Sequence, residues 1–155
     1  MRIPVFVSRP SKLSDRQKYV ATQIYGLLEE IDLEPRTIGQ SDKPGDFPLR
    51  EVLAVGRHCS GGLILGFDRD EAADAPTLKS FPTPWNHLEA GVLFSLGKPL
   101  LVWKDPDING GIFDHGVTGT FVHQFKHPFS ATDRDVRAVF SRWQAQVSAL
   151  YHAVD

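Results

Sequence analysis

The chain has one cysteine, Cys59, among 155 residues, which excludes an internal disulfide and a cysteine-built zinc site. An excess of one charge is missing too. Seventeen Lys and Arg against nineteen Asp and Glu leave a formal net charge of −2. That balance gives no reason to expect nucleic acid or an anionic membrane surface as the main partner. No apolar run approaches the ~20 residues of a membrane span, and the opening Met1-Arg-Ile-Pro-Val lacks the long apolar core of a signal peptide. There is no internal repeat, no low-complexity segment and no Gly-x-x-x-x-Gly-Lys-Ser/Thr phosphate loop; Gly97-Lys-Pro is a helix stop ahead of a strand. What is present is 41% hydrophobic and 23% charged residues, a globular composition. A chain of this length buries roughly 70% of its unfolded surface. The expectation is a single cytoplasmic domain over residues 1–155.

Short apolar runs alternate with longer helical stripes, the pattern of an α/β fold. Residues 3–7 read as a first strand that stops at Ser8-Arg9-Pro10. Ser14 and Gln17 have capping-box spacing, and Val20, Ile24, Leu27, Leu28 and Ile31 follow on one helical face. Residues 33–38 form a weak strand, placed at an edge because Pro35 cannot donate to a ladder. Residues 39–47 are an exposed polar loop. Pro48, Leu49, Val52 and Leu53 suggest a short second helix, with Asp46 or Phe47 near its cap. The unbroken apolar run 62–67 predicts a strand buried on both faces. An acidic stretch, 68–81, separates it from Thr83-Pro84, a strong helix start. That helix runs to about Leu96, stops at Gly97, and is apolar nearly all round, which predicts burial on most sides. Residues 99–103 are another buried strand, 104–119 a long loop, 120–125 a last strand. Thr132-Asp-Arg-Asp135 caps a final helix carrying Val136, Val139, Phe140, Trp143 and Val147. The order predicts a flavodoxin-like three-layer sandwich with a mainly parallel five-stranded sheet ordered 2-1-3-4-5.

Ligands of such sheets bind beyond the carboxyl ends of the strands where strand order reverses, here between the first and third strands. Phe6, Ser8 and Arg9 after one strand, and Gly66, Phe67 and Asp68 after the other, are the groups placed there, with the first turns of the Thr83 helix beside them. Arg9 is a permanent cation suited to a phosphate. Glu89 is the only carboxylate in its helix, and its neighbours Trp85, Asn86, Val92 and Leu93 include no cation. An ionised carboxylate in apolar surroundings is unfavourable unless it faces a cleft or finds donors, and Trp85, one turn earlier on the same face, offers an aromatic wall. One carboxylate beside a ring can stabilise, or trap covalently, the positive charge that develops at an anomeric carbon. A pyridinium leaving group departs neutral and needs no acid, whereas an alkoxide needs a second carboxyl. Asp68, Asp70 and Asp74 are candidates for that second group, so NAD and nucleosides both remain open.

Val5-Phe-Val-Ser-Arg9, the loop and helix over 39–56, the strand over 62–67 and Trp85-x-x-x-Glu89 resemble a bacterial TIR-like domain. The stretch 89–102 also looks like the glutamate helix and following strand of nucleoside 2-deoxyribosyltransferases, and together the likeness spans about residues 3–103. It implies an NAD-cleaving enzyme of antiviral defence, with NAD as substrate rather than cofactor, releasing nicotinamide with ADP-ribose or a cyclic product. The family's catalytic glutamate maps onto Glu89 and its tryptophan onto Trp85; its nucleotide-lining residues map onto Ser8 and Arg9. The loop it uses in self-assembly maps onto Gly39, Asp42, Pro44, Asp46 and Phe47, implying a homo-oligomer or a separate defence effector as partner. The chain departs from the family pattern in the acidic insert before Trp85 and in the region after Lys104.

The histidines offer less. His123 and His127 are four apart, but a strand reading and Pro128 spoil a helical pair, so no metal site is expected. His87 points to a different face from Glu89 and reads as surface or packing. His115, in the Gly-rich loop, suits either a cleft cover or a turn. Cys59, ahead of a buried strand, reads as core, and Ser8 has no paired base for a Ser–His hydrolase. A non-catalytic assembly or nucleotide-sensing module stands beside the two enzyme readings.

Overall fold

A computed structural model describes residues 1–38, 48–72 and 83–153. Its elements run β1 (Ile3–Ser8), α1 (Asp15–Glu30), β2 (Leu33–Arg36), α2 (Pro48–His58), β3 (Gly62–Gly66), α3 (Pro84–Ser95), β4 (Leu100–Lys104), β5 (Val122–Gln124) and α4 (Arg134–Ala153), with 3₁₀ turns at Arg69–Ala72 and Gly111–Phe113. The five strands form one parallel sheet ordered β2-β1-β3-β4-β5, the flavodoxin-like order expected from the alternation. β2, with its Pro35, lies at one edge. None of the described helices is long and apolar enough to cross a membrane. The expected assembly loop, Gly39, Asp42, Pro44, Asp46 and Phe47, lies outside the described residues, as does the expected cap of α2.

Strand alternation sorts the core into two layers. Val5, Val7, Leu63, Leu65, Leu101 and Trp103 face α1 and α4, joining Val20, Ile24 and Leu28 of α1 and Phe140, Trp143 and Val147 of α4. Phe6, Ile64, Leu100 and Val102 face the other way, against Val52 of α2 and Ala90 and Leu93 of α3. β3 and β4 are buried at every residue, as their unbroken apolar runs require. Helix starts follow the local chemistry. The Ser14–Gln17 capping box forms in both directions. The Thr83 hydroxyl accepts the Asn86 N–H at 3.3 Å, with Pro84 in the first turn of α3.

Two expectations shift. The cap of α4 is Asp133, whose Oδ1 accepts from the N–H groups of Asp135 and Val136; Thr132 instead exchanges a hydroxyl bond with Ser130. α3 is not buried on most sides: Leu88 and Phe94 are 44% and 54% exposed. Only the face carrying Asn86, Glu89, Ala90 and Leu93 is covered, because a helix on one side of a sheet presents its far side outward, whatever its composition.

The β4–β5 crossover uses a loop in place of a helix, pinned by buried Ile108, Ile112 and Phe113. Phe113 lies so close over β3 that a methyl at Gly66 would come within 2.5 Å of its ring. Gly66→Ala is therefore expected to lower stability by ~1–3 kcal/mol through overpacking. Gly26, with nothing within 4 Å of an added Cβ, sits mid-helix in α1, so Gly26→Ala is expected to raise stability by ~0.5–1 kcal/mol. Urea denaturation of the two variants checks both signs.

Candidate functional site

β1 ends at Ser8 on the face that meets α3, two residues beyond Phe6. In α3, Asn86 and Glu89 are three apart and so share that helix's inner face. The result is a chain of polar groups inside an otherwise apolar layer. Ser8 Oγ donates to Glu89 Oε1 at 2.9 Å. Asn86 Nδ2 donates to Ser8 Oγ at 2.9 Å and to the Leu65 carbonyl at 3.5 Å. Thr83 Oγ1 in turn donates to Asn86 Oδ1 at 3.3 Å. Ser8 and Asn86 are fully buried and Glu89 is 8% exposed.

Burial pushes the Glu89 carboxyl up to about 7, against the opposing pull of the Ser8 hydrogen bond. Among the described residues no basic side chain pairs with Glu89; the structure's ion pairs lie elsewhere. The buried Lys104 ammonium turns to its own loop, bonding the Ile108 carbonyl at 2.7 Å and Asn109 Oδ1 at 3.1 Å. Glu89 is thus a carboxyl at the sheet's switch point that is withdrawn from water and has no cation paired to it among the described residues. Such a group is an acid–base candidate on physical grounds.

The residues expected around it divide. Ser8 joins Glu89. Phe6 and Phe67 do not line an opening: both are fully buried, on opposite faces of the sheet, and Phe67 stacks on Phe125 at 5.1 Å. Strand alternation turns Phe67 to the α1 side, whereas Phe6 shares the Ser8 face and is sealed in the α2–α3 core layer. Arg9 turns aside, its Nε donating to the Tyr25 hydroxyl at 2.8 Å and its Nη1 to the Pro10 carbonyl. Trp85 is 39% exposed, at the outer flank of the helix; Asn86, not Trp85, is the α3 neighbour bonded into the Glu89 network.

Asp68 is held by its backbone in a second cluster, on the α1 side of the same crest. Its N–H donates to Asp105 Oδ2 at 2.9 Å and its carbonyl accepts from Gln17 Nε2 at 2.7 Å. Arg16 is the hub, with Nε at 2.8 Å from Glu71 Oε1, Nη2 at 3.3 Å from both Asp105 oxygens and Nη1 at 2.6 Å from His127 Nε2. Ser14 Oγ also donates to Glu71. Burial alone would raise Glu71, but the Arg16 and Ser14 bonds outweigh it and hold its carboxyl below its ordinary value. The segments that follow β3, β4 and β5 are all tied to the first turn of α1 through this guanidinium.

Elsewhere, His87 packs edge-on against Phe113 at 5.5 Å, and burial lowers its pKa. Among the described residues no three His, Cys, Asp or Glu side chains gather as a metal site. A cavity of about 410 Å³ lies beside Pro4, Arg36, Ala54, Val55, His58 and Cys59, apart from Glu89. Cys59 there is buried and pushed up to about 11, a packing thiol and not a nucleophile. No family model matches the chain, and no curated protein does.

In the sequence Asn86 is legible only as a helical neighbour of Glu89, and the Arg16 cluster is not legible at all, because tertiary contacts set their partners.

The raised carboxyl has a sign that can be checked. Folded protein keeps the Glu89 proton that the unfolded chain, with its ordinary value of 4.5, has already released. Stability therefore falls as pH rises from about 4.5 to about 7 and stays reduced above it. Glu89→Gln cannot ionise, and its amide oxygen still accepts from Ser8. Its stability relative to the parent is expected to be higher at pH 8.5 than at pH 4.5 by ~1–3 kcal/mol, read from urea midpoints at the two pH values.

Proposed function

We propose that the protein cleaves the N-glycosidic bond of NAD, releasing nicotinamide with ADP-ribose or a cyclic ADP-ribose, as a TIR-like enzyme of antiviral defence. One observation carries this reading: Glu89 is a buried carboxyl at the crest of β1 and β3, held by a single hydroxyl and with no cation paired to it among the described residues. Such a group gains most when positive charge appears beside it, because little solvent screens the interaction. The charge in question develops on the ribose as its bond to nicotinamide breaks. The electron pair of that bond leaves with the pyridine nitrogen, so nicotinamide departs neutral and needs no proton. Ionised Glu89 stabilises the oxocarbenium carbon or bonds to it, and water or an internal nucleophile of the ADP-ribose completes the reaction. Assembly as a homo-oligomer, or action on a separate effector protein, belongs to the same reading.

A second reading has its own support. With its proton retained up to about pH 7, Glu89 can also hand a proton to a nucleobase, the need of a nucleoside 2-deoxyribosyltransferase or nucleotide N-glycosidase. The two are separated by incubating the protein with NAD and with deoxynucleosides, with and without a crowding agent, and following nicotinamide and free base by mass spectrometry. NAD cleavage is expected to rise with pH through about 7 as Glu89 ionises and then level off. Glu89→Gln is expected to lower it by ~10²–10³-fold. Full activity in Glu89→Gln, or no nicotinamide under either condition, refutes the assignment. Free base without nicotinamide transfers it to the second reading, and turnover of neither substrate by protein that forms assemblies leaves a non-catalytic module.

A further inference from the structure

The hydrogen bonds around Glu89 have a fixed direction, and that direction assigns a role to a residue outside the proposed chemistry. The Leu65 carbonyl can only accept, so the Asn86 group 3.5 Å from it must be the NH₂, which leaves Oδ1 to face the Thr83 hydroxyl at 3.3 Å. The same NH₂ lies 2.9 Å from Ser8 Oγ. With a donor already on its oxygen, the single Ser8 hydroxyl proton points to Glu89 Oε1, 2.9 Å away. The relay therefore runs one way, from the cap of α3 to the carboxyl: Thr83 to Asn86, Asn86 to Ser8, Ser8 to Glu89.

We propose that Asn86 is a positioning residue that acts through Ser8: by donating to Ser8 Oγ it commits the only Ser8 proton to Glu89 Oε1, fixes the carboxyl's orientation, and leaves Oε2 as the oxygen presented to substrate. The proposal rests on reading Glu89 as the reacting group, yet its test does not need turnover. Without Asn86, no donor occupies Ser8 Oγ, so its hydroxyl proton is no longer committed to Glu89 and the carboxyl's hold on the donor that favours its ionised form is weakened. Two consequences follow. Removing either Asn86 or Ser8 has the same effect on Glu89, and removing both has no more effect than removing Ser8 alone. A side chain that merely packs would give independent effects.

The Glu89 carboxyl carbon is followed by ¹³C NMR against pH in the full chain, its signal assigned by its loss in Glu89→Gln. Ser8→Ala is expected to raise the titration midpoint by about one pH unit, the size of one hydrogen bond to a charged group. Asn86→Leu is expected to raise it similarly in the parent protein and to leave it unchanged in the Ser8→Ala background. Should Asn86→Leu not fold, Asn86→Ala removes the same donor without adding a charge, so it too must raise the midpoint. An unmoved midpoint in Ser8→Ala overturns the proposal, as does an Asn86 effect of equal size with and without the Ser8 hydroxyl. The pH profile of nicotinamide release is expected to move with the NMR midpoint. Titration shifts as described in a protein that never consumes NAD would refute the proposed function and leave the relay standing; activity with unmoved midpoints would do the reverse.

Discussion

A carboxyl group withdrawn from water between a sheet and a helix keeps its charge only if donors replace the lost hydration, and partial replacement leaves it titrating near neutrality. Glu89 is in that intermediate condition, with one hydroxyl in place of a hydration shell. Much of the surrounding architecture is required for it. β1 and β3 must be neighbours for Ser8 and Leu65 both to reach Asn86. α3 must lie close on the sheet, and β3 allows it: a methyl at Gly62 would come within 2.8 Å of Leu93. The Thr83–Pro84 start sets the helix phase that turns Asn86 and Glu89 inward together.

The two sides of the crest answer the problem of buried charge differently. On the α1 side, Arg16 meets two carboxylates and a histidine, and the backbone of Asp68 joins in. Those groups satisfy one another and act as a tie between loops. On the α3 side the carboxyl has a neutral donor and no counter-ion among the described residues. A cluster whose charges pair with one another holds structure; a carboxyl without a paired charge has affinity to spare for something else. The contrast directs attention to Glu89 over the more numerous acids of the opposite cluster.

The alternation of short apolar runs with amphipathic stripes was sufficient for the strand order, because parallel crossovers and edge placement leave few arrangements for five such strands, and Pro35 in β2 and the unbroken run of β3 mark an edge and a centre. The Ser14–Gln17 and Thr83–Pro84 starts were equally legible, since capping is a matter of adjacent residues. Glu89 stood out as a lone carboxylate in an apolar helix. Its partners did not stand out in the same way. Asn86 is defined by contacts 78 and 21 positions away, and Arg16 by contacts 55 to 111 away, separations at which residue type alone carries little information. Phe6 and Phe67 show the opposite failure: they are near the crest in sequence, but both are sealed in the core, Phe6 on the α3 side and Phe67 on the α1 side.

The sheet's two margins have a consequence for how copies of this domain meet. β2 is four residues long and contains a proline, and β5 is three residues long. Neither offers the long, regular row of unpaired amides that a strand from another molecule needs for templated growth. Fibre-like propagation of the sheet is thereby disfavoured, and contact between molecules is left to side chains, among them the exposed Leu88 and Phe94 of α3.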